Sequence, residues 1–311
     1  MRYSIILTVR NDEKRLPDCV AALVGQPCHD MEILLVDHGS EDGTAMLCQG
    51  YQAAYPNLIR VIRMRSSGAN AARNEGIRCA RGEYLLFVDC GMVLRQDALA
   101  FLSRHIEDSR ADLYLLDTQS KQPGTAQTLE TAPELLTAAR QCPDALWRRQ
   151  LFDDAYLRFP EEPGYDDLRM LCKGMARSRS IVAVAQDICL RRTPKKADPQ
   201  ERELAVLDAL DDIRSYLTRR GLLECCRDDL CRLAALLICD RASVVLTKKQ
   251  DPASISECID YLNSRFPGRS GISMPEWQGC DTAKLLEQMA QGIWNRLRMT
   301  FLVKRPREKK Q

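Results

Sequence analysis

Residues 82–92 read GEYLLFVDCGM, an apolar run that ends on Asp89, Cys90 and Gly91. A short apolar run bounded by glycines is the pattern of a buried strand in a parallel sheet. A carboxylate at the carboxyl end of such a strand lies where open α/β sheets bind ligands. Earlier segments prepare for this strand. YSIILTV (residues 3–9) ends at Arg10 and Asn11, MEILLV (31–36) ends at Asp37 and His38, and a shorter run covers 58–62. Between them lie helical spacings: Leu16, Cys19, Val20 and Leu23, then a segment from Thr44 to about Tyr55, then the alanine-rich 69–80. Strand and helix alternating with short connections predicts parallel strands joined by right-handed crossovers. The polar strand ends then converge on one edge, where a nucleotide would lie.

Beyond Asp89 the pattern predicts a helix over 97–106, a strand over 112–116, a turn at KQPGT (121–125), a helix over 133–141, a helix from Asp166, and strands over 181–185 and 188–190. TPKKADP (193–199) carries no apolar periodicity and marks a boundary. It divides residues 1–193 from a helical region, 200–311. Helices are expected there over 204–217, 222–239, 255–266 and 282–299.

Composition removes several classes. The net charge of +2 gives no global argument for nucleic acid, although the tail LVKRPREKKQ is basic enough to touch anionic lipid. No run of about 18 uncharged apolar residues occurs, and the apolar start stops at Arg10, too soon for a signal peptide. A cytoplasmic protein is expected, peripheral at most to the inner face of a membrane. The 14 cysteines include no CxxC pair and share the chain with only three histidines, so buried thiols are favoured over a zinc cluster.

The segments SIILTVRN, EILLVDHGSEDGT, SSGANAARNEGI and GEYLLFVDCG occur in that order, and LWRRQLF and LRFPEEPGYDDL follow. Together they resemble the inverting family 2 glycosyltransferases, over about residues 3–193. The resemblance implies a GT-A fold with a mostly parallel sheet, a nucleotide-diphosphate sugar donor and a saccharide or lipid-linked acceptor. It implies a role in surface polysaccharide synthesis. By the same resemblance Arg10, Asn11, Asp37, His38, Gly68, Arg73 and Asp89 form the donor site. Arg10 stands where the family has an aromatic. A guanidinium can stack on a base or pair with phosphate. His38 replaces a second acid and is read either as a phosphate contact or as an exposed residue. Gly68 permits close backbone approach, and the helix start beyond it offers amide donors to an anion.

The family's metal motif is a carboxylate, any residue, then a second carboxylate. Here it reads Asp89-Cys90-Gly91. Asp89 remains as ligand to a divalent cation, Mn²⁺ or Mg²⁺. Cys90 points away from it if the strand alternates. The pair Asp166–Asp167 matches the acids that open a helix beside the acceptor, with Asp167 in the base's position. Trp147 either packs beneath the acceptor cleft or belongs to the core. The alternative function is a catalytically impaired GT-A domain that binds nucleotide sugars or partner proteins.

Overall fold

The computed structural model describes residues 1–65, 67–116, 124–140, 144–161, 164–191 and 205–247, with residues 261, 264 and 265. The first half follows the expected alternation: β1 (Tyr3–Val9), α1 (Leu16–Val24), β2 (Met31–Asp37), α2 (Thr44–Ala54), β3 (Ile59–Arg63), α3 (Ala69–Cys79) and β4 (Tyr84–Asp89). Strands β3, β2, β1 and β4 lie side by side in that order, all parallel.

Period-two alternation divides their side chains between two cores. Ile6, Leu34, Val36 and Leu85 face α3, where they meet Ala72 and Ile77. Ile5, Leu7, Ile33, Leu35 and Leu86 face Leu16, Val20 and Leu23 of α1. The approach of α3 to the sheet depends on Gly76, because a Cβ there would lie 2.4 Å from Ile6 Cγ2.

The second half departs from the parallel expectation. It contains β5 (Met92–Leu94), α4 (Ala98–Ser109), β6 (Leu113–Leu116), β7 (Ala126–Gln127), α5 (Leu135–Ala138), β8 (Asp144–Arg148), a 3-10 turn (Arg149–Asp153), α6 (Asp166–Arg177), β9 (Ile181–Val184) and β10 (Cys189–Arg191). Strand β8 inserts antiparallel between β4 and β6, and β6 then pairs parallel with β9. The full sheet order is β3-β2-β1-β4-β8-β6-β9-β7. Strands β5 and β10 make a separate antiparallel ribbon. The helix expected over 133–141 is a single turn within the described residues, and part of the KQPGT turn lies outside them.

Two further helices follow, α7 (Val206–Arg219) and α8 (Leu223–Thr247). Helix α7 packs on α6, and α8 packs on α5 and α7. Val206, Leu210, Ile213 and Leu217 share one hydrophobic core with Leu168, Leu171 and Met175 of α6. The boundary at 193–199, the expected helix over 282–299, the basic tail and nearly all of 255–266 lie outside the described residues. No helix among the described residues is long and apolar enough to cross a membrane.

Candidate functional site

Parallel pairing brings the ends of β1, β2 and β4 to one edge, with Val9 opposite Asp37 and Thr8 opposite Asp89. Asn11 sits just beyond β1 at φ 53°, a left-handed conformation asparagine tolerates better than most residues. Its backbone N–H donates to Ser40 Oγ at 3.1 Å, and its Oδ1 accepts from Glu41 N–H at 2.8 Å. Asn11 therefore ties together the two loops that follow β1 and β2. Arg10 is half-buried beside it.

Asp37 is fully buried. Its Oδ1 accepts from the Ser40 N–H at 3.0 Å and from the Ser40 hydroxyl at 2.7 Å. Its Oδ2 is buried with no hydrogen-bond partner among the described residues. Such an orphan is costly unless a ligand donor or water completes it.

His38 is not exposed, which corrects one of the two readings given to it. The ring is 8% accessible, and Nδ1 lies 2.7 Å from the Ser67 carbonyl oxygen. A carbonyl only accepts, so Nδ1 donates in this contact. The imidazole thus anchors the loop entering α3.

Asp89 and Arg73 meet beneath that loop. Alternation places Asp89 on the same face as Leu85 and Phe87, toward α3. Arg73 Nη2 donates to both Asp89 oxygens, each at 3.2 Å, and Nη1 donates to Asn70 Oδ1 at 3.1 Å. The guanidinium also lies 5.1 Å over the Phe159 ring. Burial works against its charge, but Asp89 and then Asp167 outweigh burial and hold its pKa above the usual arginine value. Asp89 Oδ1 also accepts from Thr8 Oγ1 at 3.3 Å. The expected turning-away of Cys90 is observed: it is buried in the opposite core with Cys19.

Arg73, Asp89 and Asp167 line one open cleft, with Asp144, Trp147 and Phe159 among its other walls. Trp147 is both core and cleft wall. A Cβ at Gly174 of α6 would lie 2.2 Å from its ring, so this glycine sets how closely α6 approaches β8. Asp37 and His38 belong to the adjoining strand edge and do not line this cleft. Gly68 lines a neighbouring groove with Ala71 and Asn74, and a Cβ added to it would meet nothing within 4 Å. The two acids at the start of α6 also divide. Asp166 Oδ1 turns back to accept from the Gly164 N–H at 2.7 Å, while Asp167 faces the cleft.

Sequence reasoning missed the residues that tie α3 to the segment preceding α6. Asn74 makes a paired contact with the Phe159 backbone, accepting from its N–H and donating to its carbonyl, both at 2.9 Å. Asn70 donates to the Pro160 carbonyl at 2.9 Å. The signal was available in the i, i+4 spacing of two asparagines around Arg73, which puts them on one helix face. Asp144 was also missed; nothing in its local sequence marks it.

The residues fit a resident divalent cation poorly. Such ions take about six oxygen ligands. Asp89 is the one carboxylate at this strand end, and a guanidinium already contacts both its oxygens. Among the described residues no three His, Cys, Asp or Glu side chains converge on a site for an ion.

A parallel four-strand edge with a buried aspartate on β2 and a second on β4 is the architecture of the GT-A fold. Residues 4–152 match the model of glycosyl transferase family 2. The poly(ribitol-phosphate) beta-glucosyltransferase of Bacillus spizizenii is 34% identical over 118 residues, covering 37% of this chain and 19% of that protein. The uncharacterized glycosyltransferase EpsJ of Bacillus subtilis is 29% identical over 177 residues, 51% of each chain. The crystal structure of Staphylococcus aureus TarS 1–349 superposes with a TM-score of 0.65 at 20% identity, over 86% of this chain and 81% of that one. A mannosyltransferase from Pyrobaculum calidifontis, solved with GDP-Man and Mn²⁺, superposes at 0.53 with 15% identity, over 96% and 80%. These structural likenesses establish the fold. The chain spans from 19% to 51% of the length of these two curated relatives.

Proposed function

We propose that this protein transfers a sugar from a nucleotide-diphosphate donor to an acceptor hydroxyl, with inversion, in the synthesis of a cell-surface polymer. A GT-A domain over residues 1–193 would carry the chemistry, and the helical region 200–311 would support it. The observation that carries the reading is the cleft in which Arg73 contacts Asp89 and Asp167 lines the opposite wall. The relatives named as poly(ribitol-phosphate) transferases support a polymer acceptor.

Asp37 Oδ2 accepts a hydrogen bond from a base or ribose donor. Asp167, at the positive end of α6, takes the proton of the acceptor hydroxyl. The acceptor oxygen bonds the anomeric carbon from the face opposite the diphosphate. The departing bond's electron pair leaves on the nucleoside diphosphate, and Arg73 offsets that charge. Asp166 holds the turn at Gly164 and does not exchange protons with substrate.

Asp167→Asn tests the assignment. Transfer, followed as acceptor-dependent release of nucleoside diphosphate from UDP-GlcNAc or another donor, should fall by about 10²- to 10⁴-fold. Nucleotide binding should be unchanged. Unaltered transfer would remove Asp167 from the role of base. The competing reading is a nucleotide-sugar binding or interaction module, favoured by Gly91 in place of a second carboxylate. Sugar transfer by the unmodified chain would dismiss it.

A further inference from the structure

We infer that the donor's diphosphate is neutralised in this protein by a fixed guanidinium and not by a divalent cation. The inference rests on the donor-site reading above. Arg73 is held on three sides: by both oxygens of Asp89, by Asn70 Oδ1 and by the face of Phe159. Its side chain is 14% exposed, so it is pre-positioned and does not have to be ordered when the donor arrives. A guanidinium has five N–H donors, more than these contacts use, and it carries its charge at every working pH.

The surroundings of Asp89 favour the same assignment. A cation at carboxylate distance would face the positive charge of Arg73 across the same two oxygens. The side chain two positions on is absent at Gly91, and the one between, Cys90, is buried on the far face. The chain beyond is committed to the β5–β10 ribbon, in which Met92 pairs with Arg191. Arg10 just beyond β1, Arg63 at the end of β3 and Arg65 two residues on bring further positive charge to the same sheet edge. The amide donors at the start of α3 add to it. Asp89 thereby becomes a positioning residue for Arg73, and the chemistry that a metal usually supplies is built into α3.

Calorimetric titration of the full chain with UDP and with GDP, in EDTA and then in Mn²⁺ or Mg²⁺, reads this directly. Electron paramagnetic resonance would follow Mn²⁺ uptake in parallel. Nucleotide affinity should agree within about twofold between the two conditions. The protein should take up no Mn²⁺ beyond that carried by the nucleotide. Arg73→Ala should weaken binding by about 10- to 100-fold in both conditions, as loss of charged hydrogen bonds predicts. Gly91→Asp should create Mn²⁺ uptake that the parent lacks. A gain in affinity above about tenfold on adding Mn²⁺, abolished by Asp89→Asn, would overturn the inference and leave the donor-site reading standing. Failure of either nucleotide to bind under any condition would overturn both. The comparison on the unmodified chain requires no variant to fold.

Discussion

The strand edge formed by β1, β2 and β4 is assembled from segments close in sequence, each ending where its apolar run ends. The second wall, α6 and the segment before it, is held by residues far away in sequence. Asn74 reaches Phe159 across 85 positions, and Asp212 of α7 reaches Arg169 across 43. Asp212 Oδ2 also lies 2.6 Å from the buried Lys173 ammonium. The turn before α6 touches the start of α7 as well, because a Cβ at Gly164 would lie 2.1 Å from Ala205 Cβ. The comparison separates two tasks. Local sequence supplies the strand edge, and long-range packing sets the position of Asp167.

Substitutions on the two sides should therefore fail differently. Asp212→Ala leaves Lys173 and Arg169 with an unpaired buried charge and should cost about 3 kcal/mol in unfolding free energy. At a temperature where the variant is folded, kcat should fall while UDP affinity holds, and Asp212→Glu should recover part of the loss. Equal losses of binding and transfer would mean the two sides act as one unit.

Gly174→Ala improves helix propensity by about 1 kcal/mol but drives a methyl into Trp147. The overlap should dominate, for a net loss of about 1–2 kcal/mol by chemical denaturation. An unchanged midpoint would show that α6 can shift freely.

On the donor side, Asp37→Asn replaces an acceptor-only group by one that also donates. Nucleotide affinity should fall by about tenfold, without the kcat effect seen at Asp212.

The smallest effect concerns Asp154. Burial pushes its pKa up, but the Tyr216 hydroxyl, donating at 2.6 Å, leads the interactions that bring it below the usual 3.8. A carboxylate with a depressed folded pKa stabilises the fold above its unfolded pKa and loses that contribution as pH falls through the folded one. Thermal stability should decline between about pH 5 and pH 3, less steeply in Tyr216→Phe.

The donor edge was legible because its signals are local. YSIILTV, MEILLV and YLLFV are buried on both faces, so they read as strands without knowledge of their neighbours. Alternation alone turned Cys90 away from the edge. Strand β8 was not legible. Its apolar stretch Ala145–Leu146–Trp147 is too short to distinguish strand from helix, and β4 and β6 impose its antiparallel register. His38 looked ambiguous because its partner is a backbone carbonyl 29 positions away, and carbonyls carry no sequence signature. The acids at 166 and 167 were told apart in the sequence only by the resemblance. They separate because Tyr165 enters the helix at φ 52° and Asp166 folds back onto Gly164, leaving Asp167 toward the cleft.

The sequence by itself determined the parallel strands, the carboxylates that end β2 and β4, and the missing second carboxylate at Gly91. Those follow from burial and spacing, which are properties of neighbouring residues. Tertiary structure decided that Arg73 rests on Asp89, and that α7 braces the helix bearing Asp167. Both depend on the distance between charged side chains, and that distance is set only when separate elements pack into one core.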